Sequence, residues 1–217
     1  MSFQSLTPEV LAQLTAALPE SVLTGDQISE DYAHDEMVSA GFRMPDAVVM
    51  ARSTEEVSKA CKILYENNIP IIPRGAGTGL SGGCAPICGG VVIDTTKMNH
   101  ILRWDLDNGL VHIEAGVLLA DLTAACTERG MFYPPDPGQR FAAVGGNVAT
   151  NAGGMRAVKY GCTREYVRTM TVVLPDGRVV KLGGEPSKNS SGYSLLHLLI
   201  GSEGTLGIIT EIGLKLI

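Results

Sequence analysis

Ile69-Pro70-Ile71-Ile72-Pro73-Arg74-Gly75-Ala76-Gly77-Thr78-Gly79-Leu80-Ser81-Gly82-Gly83 is the stretch on which the reading of this chain turns. Ile69 to Ile72 reads as a buried strand stopped at Pro73, and a glycine-rich turn follows directly. Successive backbone N–H groups in such a turn converge on an anion, and Arg74, Thr78 and Ser81 add donors. A Walker loop needs a Gly-Lys-Ser/Thr closure, and no lysine stands here. A dinucleotide turn needs a helix to open inside the loop, which Gly82-Gly83 and Pro86 oppose, although Asp94 lies near the required distance. A plain glycine-rich connection is the simplest alternative.

Upstream, Ala47-Val48-Val49-Met50 is a compact apolar run suited to a buried strand. Ser53-Thr54-Glu55-Glu56 offers a capping box that opens a helix through Tyr65, ended by Asn67-Asn68. Strand, helix and strand make a β-α-β unit, for which a right-handed crossover to a parallel neighbour is the default. Leu6 to Leu18 reads as a leading helix.

Downstream, Val91-Val92-Ile93-Asp94 is a third apolar strand. Asp107-Asn108-Gly109 joins strands at 101–106 and 110–115, and Pro175-Asp176-Gly177 joins strands at 170–174 and 178–182. Val117 to Arg129 reads as a helix closed by Gly130, and Leu195 to Ile200 as a short helix. Ile208 to Ile217 alternates as a strand. The expected fold class is α+β, a two-lobed domain: a small parallel α/β lobe over about 1–95 and a larger lobe of mainly antiparallel strands with helices over about 96–217. A large ligand is expected at the lobe interface.

Composition narrows the function. Of 217 residues, 45% are hydrophobic and 18% charged, a globular balance. The net charge of -6, with no basic cluster, argues against nucleic acid. No apolar run is long enough to span a membrane, and the MSFQSLTPEVLAQL start lacks the basic n-region of a secretory signal. Cys61, Cys84, Cys88, Cys126 and Cys162 form no CxxC pair, so reduced thiols and a cytoplasmic location are expected, and no metal site. Of 26 glycines, seven fall between Gly75 and Gly90 and five between Gly145 and Gly161. Two such clusters ask for a ligand where isolated turns would not.

The second cluster, Val144-Gly145-Gly146-Asn147-Val148-Ala149-Thr150-Asn151-Ala152-Gly153-Gly154, follows the proline-stiffened Tyr133-Pro134-Pro135-Asp136-Pro137-Gly138. Asn147, Thr150 and Asn151 both donate and accept, which suits the edge of an amide-rich ring, or alternatively the loop's own backbone. Gly201 to Thr210 is a third patch of small residues before a strand.

With these motifs assembled, the chain resembles the FAD-binding domain of the vanillyl-alcohol oxidase / p-cresol methylhydroxylase superfamily, and within it the glycolate oxidase catalytic subunit and FAD-linked D-lactate dehydrogenases. PRGAGTGLSGG, FYPPDPG, VGGNVATNAGGMRAVKYG, NSSGYSL and GSEGTLGIIT carry the resemblance, in order, from Pro73 to Thr210. It implies that Arg74, Gly75, Ala76, Gly77, Thr78, Gly79 and Gly82 line the FAD pyrophosphate. Pro135 and Asp136 then sit beside the flavin. Val144, Gly145, Gly146 and Asn147, with Thr150, Asn151, Ala152, Gly153 and Gly154, pass along the flavin and ribityl region. Glu203, Gly204 and Ile209 reach the cofactor from the second lobe.

Relatives with covalent flavin carry histidine in the first glycine loop, where this chain has Thr78, so non-covalent FAD is implied. His34, His100, His112 and His197 lie outside both clusters and read as packed or surface residues. The family's reaction is dehydrogenation of a 2-hydroxy acid such as glycolate or D-lactate to the 2-oxo acid, with a substrate-binding cap domain after the last strand here. That cap is absent from this chain, which reads as truncated or as a domain-only product and is expected to be inactive alone. The implied partners are a small 2-hydroxy acid held through the cap and electron-accepting subunits, with peripheral membrane association through such a complex as a variant. No residue presents itself as the catalytic base; Arg156, Lys159 and Tyr160 could approach a substrate carboxylate or the flavin, or be ordinary surface residues. A non-catalytic flavin-binding subunit is the alternative, and an oxidoreductase acting on another alcohol or a peptidoglycan precursor a further one.

Overall fold

The computed structural model describes residues 3–186 and 188–217, the Val38 side chain excepted. It contains two sheets. The first joins β1 (Val22–Leu23), β2 (Ala47–Met50), β3 (Ile71–Arg74) and β4 (Val91–Asp94) in the order β1-β2-β4-β3. β4 runs parallel to both β2 and β3, while β1 is an antiparallel edge. β2 and β3 are therefore parallel as expected, but they are not neighbours, because β4 occupies the position between them. Pro73 does not stop β3; it lies inside it, paired with Ile93. An edge strand tolerates the missing N–H, and β3 is the edge.

Burial follows from this order. Val91, Val92 and Ile93 are all fully buried, as a central parallel strand covered on both faces requires. Val91, Ile93, Ala47 and Val49 pack with Leu14 of helix α1 (Pro8–Ala17) and with Val57, Ala60, Cys61 and Leu64 of helix α2 (Thr54–Glu66). Val48, Ile72 and Val92 face Ile28 on the other side. The Cys61 thiol, in the α2 interface, is pushed up to about 12, by burial first and by Asp176 second.

Ser53 caps α2 by accepting a hydrogen bond from the Glu56 N–H at 3.3 Å. The expected reciprocal half of the box is absent. The Glu56 carboxylate instead accepts from the Arg52 N–H at 3.0 Å and the Ser21 hydroxyl at 2.9 Å, tying the helix start to the segment before β1. Replacing Ser53 with Ala is expected to lower stability by about 1 kcal/mol, read as a shift of the denaturant midpoint at unchanged slope.

The second sheet has the order β5-β6-β9-β7-β8, all antiparallel, from β5 (Ile101–Asp105), β6 (Leu110–Glu114), β7 (Val167–Val173), β8 (Val179–Gly183) and β9 (Ile208–Lys215). β5-β6 and β7-β8 are the two expected hairpins, and β9 returns from the chain's end to pair between them. Helix α3 (Leu119–Thr127) buries Leu119, Leu122 and Cys126 in the second core, and the Cys126 thiol is raised to about 11 by that burial.

α2 lies between the sheets. Thr54 donates to Thr210 of β9 at 2.9 Å and Ser58 to the Gly177 carbonyl at 2.6 Å. Val173 of β7 and Ile208 of β9 enter the first core. The two sheets are thus joined through one helix and a shared apolar seam.

Val144 to Ala149 form a short helix, α4, where the glycines suggested loop. Gly145 and Gly146 give little intrinsic support to a helix. Tertiary bonds supply it: Val144 N–H donates to Val117 O at 2.9 Å and Gly145 N–H to Ala115 O at 2.8 Å. Two further short helices are α5 (Ala157–Tyr160), which periodicity did not suggest, and α6 (Leu195–Leu199), which it did.

Candidate functional site

A cleft of about 500 Å³ opens between the sheets. One wall is the loop after β3, from Pro73 to Ser81 with Gly83 and Cys84. The other runs from Ala142 and Ala143 through Gly145, Gly146 and Asn147 of α4 to Gly153, and Glu203, Gly204 and Gly207 to Ile209 close one side.

The first wall is built around Arg74. Its backbone is pinned as the last residue of β3, with its carbonyl accepting from the Thr95 N–H at 3.0 Å. Its side chain folds back beneath the loop, where a Cβ on Gly77 would overlap the guanidinium; Gly77 is also at φ +73. That position tolerates glycine on both counts. Nη1 donates to the His34 carbonyl at 2.7 Å and to Cys84 Sγ at 3.3 Å, and the guanidinium lies 5.2 Å from the centre of the Tyr32 ring. Tyr32 in turn donates to Asp94 at 2.7 Å; burial first, then Asp94, raises its hydroxyl well above the ordinary tyrosine range. Burial likewise raises the Cys84 thiol, against the lowering effect of Arg74.

Arg74 is only 8% exposed, yet among the described residues it has no ion pair. The buried carboxylates nearest it, Asp35 and Asp94, do not contact the guanidinium directly, which leaves its remaining N–H donors open to an anion. The first wall is complementary to an anion.

The second wall is neutral and small. Asn147 is 5% exposed, and its Nδ2 is buried with no hydrogen-bond partner among the described residues. Gly146 lines the cleft, and a Cβ there would meet nothing within 4 Å, so no packing inside the chain explains why it is bare. Gly145 differs: a Cβ would stand 2.6 Å from that of Ala115. The amide donor and the empty space at Gly146 together suit a flat ligand bearing carbonyl acceptors.

A strap joins the walls. Ser81 donates to Glu203 at 2.8 Å, and Glu203 holds a left-handed φ of 53°. Arg164 holds the strap's root by donating to the His197 and Ile200 carbonyls at 3.0 and 2.9 Å.

A family model described as FAD binding domain matches residues 45–183. The chain belongs to this FAD-binding domain family. Relatives agree. The D-lactate dehydrogenase of Anaerostipes hadrus is 59% identical over 215 residues, which is 99% of this chain and 45% of that protein. Glycolate oxidase subunit GlcD of Bacillus subtilis is 45% identical over 175 residues, 80% of this chain and 37% of that protein. The solved structure of alkyldihydroxyacetonephosphate synthase superposes with a TM-score of 0.86 at 26% identity, covering 100% of this chain and 41% of that one. The chain spans about half the length of the curated relatives it matches.

FAD is the cofactor of this FAD-binding domain, and the cleft fits it. Arg74 lacks an anion, which the diphosphate carries; Asn147 lacks an acceptor, which the flavin ring carries; and Gly146 leaves room.

Of the positions singled out in the sequence, Arg74, Gly75, Ala76, Gly77, Thr78 and Gly79 line the cleft on one wall, and Gly145, Gly146, Asn147, Thr150, Asn151, Ala152 and Gly153 on the other. Glu203, Gly204 and Ile209 line its closed side. Gly82, Val144 and Gly154 do not line it. Gly82 turns beside Ala40, Val144 is fully buried in the second core, and Gly154 is packed so tightly on the Asp136 carbonyl that a Cβ would overlap it. Pro135 and Asp136 line a smaller pocket of about 250 Å³ beside α3, with Arg140 and Arg156. Arg156 is neither free nor in the main cleft; it pairs with Asp136 at 3.2 Å and lies over the Phe132 ring. Lys159 lies over the Tyr160 ring.

Sequence reasoning missed Asp35, Cys84, Thr95, Ala115, Pro137, Gln139 and Ala143 as lining residues. Pro137 and Gln139 adjoin the PPDPG motif and could have been found from it. Among the described residues, no three His, Cys, Asp or Glu side chains come together as a metal cluster, and no helix is long and apolar enough to cross a membrane.

Proposed function

We propose that this chain is the FAD-binding half of an oxidoreductase that dehydrogenates a 2-hydroxy acid, D-lactate or glycolate, to the 2-oxo acid. The observation that carries the reading is the cleft itself: a buried, unpaired Arg74 in one wall and an unpartnered Asn147 amide in the other, in a chain 59% identical to a D-lactate dehydrogenase.

Bound FAD supplies the electron sink for hydride removal from the hydroxyl-bearing carbon. The chain's own residues hold and orient it. The Gly75 to Gly79 loop and Arg74 would neutralise the diphosphate from one wall. Asn147, Thr150 and the glycine-lined second wall position the flavin and exclude water from one of its faces. Thr78 stands where covalent relatives carry a histidine, and no histidine lines the cleft among the described residues, which supports non-covalent attachment. Pro135 and Asp136 act in this reading from behind the cleft, by fixing the turn at Gly154.

No histidine lines the cleft among the described residues, and its two carboxylates are Asp35, which is buried, and Glu203, which is engaged by Ser81. A proton acceptor for the substrate hydroxyl is therefore assigned to the further half that the relatives possess, and the 217-residue chain alone is proposed to be inactive. A cytoplasmic location belongs to the same reading, supported by five free cysteines. So do electron-accepting partner subunits, since GlcD is by name a subunit of glycolate oxidase.

The test is anaerobic addition of D-lactate and glycolate to the full-length, FAD-loaded protein. Bleaching of the visible flavin band by either acid is expected. A yellow protein that neither acid bleaches rejects the substrate class, and a protein that takes up no FAD rejects the whole reading.

A further inference from the structure

Asp35 stands apart from every role assigned so far. It lies in the irregular segment before β2, is 5% exposed, and lines the cleft. Its Oδ1 accepts from the Met37 N–H at 2.9 Å, whereas its Oδ2 is buried with no partner among the described residues. A desolvated carboxylate oxygen without a donor is costly to keep.

The segment carrying it is fastened to the glycine loop. Glu36 N–H donates to the Gly79 carbonyl at 3.0 Å, and Arg74 Nη1 donates to the His34 carbonyl at 2.7 Å. A Cβ placed on Gly79 would lie 3.3 Å from Oδ2, so that oxygen sits directly against the loop. Arg74 is in the same wall, yet the two side chains form no ion pair. One wall therefore holds, among the described residues, a cation in no direct ion pair and a carboxylate oxygen with no donor, both near enough to act on the Cys84 thiol.

A diphosphate satisfies the first and repels the second, because it has no proton to give. The ligand must present a neutral donor a few bonds from its phosphates. In FAD the sugar hydroxyls, on the ribose and the ribityl chain, meet that description; the N–H donors of adenine and flavin lie at the far ends. We propose that Asp35 Oδ2 accepts a hydrogen bond from a sugar hydroxyl of the cofactor next to its diphosphate, so that Asp35 selects a sugar phosphate while Arg74 holds the charge. The inference rests on the FAD reading above.

The experiment measures affinities of the protein for FAD and for FAD analogues each lacking one sugar hydroxyl. The natural protein is expected to bind one analogue about tenfold or more weaker than FAD, the range for a hydrogen bond to a charged group. Asp35→Ala is expected to bind FAD weaker by a similar factor and to show no further loss with that analogue. Asp35→Asn, which keeps the Met37 bond through Oδ1, provides a second variant should Asp35→Ala fail to fold; its penalty for the missing hydroxyl is expected to fall below that of the natural protein. Equal affinity of the natural protein for FAD and every analogue overturns the proposal, as does an unchanged penalty in the variants. Absence of any FAD binding by the natural protein is a different result, and it overturns the FAD reading together with the inference built on it.

Discussion

Gly146→Leu is expected to give a folded protein that holds FAD poorly. In α4 the substitution replaces a poor helix former with a good one, worth roughly 0.5–1 kcal/mol in favour of the fold. Nothing within 4 Å opposes the new Cβ itself. The same side chain projects into the cleft where a planar ring must lie. Overpacking costs about 1–3 kcal/mol where neighbours can shift, and more where a rigid ring system must be moved bodily. FAD affinity is therefore expected to fall by at least tenfold to a hundredfold, while the denaturant midpoint without FAD stays level or rises. Gly145→Leu is the control: with Ala115 only 2.6 Å from its Cβ, it is expected to lose fold and cofactor together. A Gly146→Leu protein that retains full FAD affinity removes this wall from the site.

Arg74→Met is expected to abolish tight binding by the opposite route, through charge rather than shape. The methionine fills much of the same volume, and what the folded chain loses is two hydrogen bonds, to the His34 carbonyl and Cys84 Sγ, and the charge over the Tyr32 ring. Against that, a buried cation no longer has to be kept desolvated. Stability without FAD should consequently change little. Each charge-assisted bond to a phosphate oxygen is worth about 1.5–3 kcal/mol, so FAD affinity should fall about tenfold to 150-fold for one such bond. Arg74→Lys should recover only part of it, since a single ammonium cannot reproduce the guanidinium fork. Titration at two ionic strengths checks the assignment: the salt dependence of FAD affinity should be weaker in Arg74→Met than in the natural protein.

Much of this site was legible from residue types. Arg74 and the glycines after it fix an anion cradle because few other uses exist for clustered backbone donors after a strand. The strands at 47–50 and 91–94 were visible as short apolar runs, and Ser53 marked the helix between the sheets. The order of strands was not legible, because a run such as Val91-Val92-Ile93 shows that it is buried on both faces but not beside whom. α4 was hidden for a related reason: Gly145 and Gly146 argue against helix locally, and only the bonds to Ala115 and Val117 reverse that. Asp136 was placed at the flavin by its motif, whereas its side chain turns to Arg156 in the smaller pocket. Asp35 sent no signal at all. An unpartnered oxygen is a property of three-dimensional surroundings, and the irregular stretch around it has no period to read.

The place of β4 between β2 and β3 has a consequence for how the protein comes into being. Two strands that share no bond with each other wait for a third, and that third lies beyond the whole glycine loop in the chain. Until residues 91–94 have been synthesised and inserted, β3 has no partner, β2 has only the two-residue β1, and Arg74 has no fixed backbone. Pairings of such separation in sequence are slow to form. The cradle is therefore shaped by the same event that closes the first sheet, and a nascent chain offers nothing for a nucleotide to grip before then.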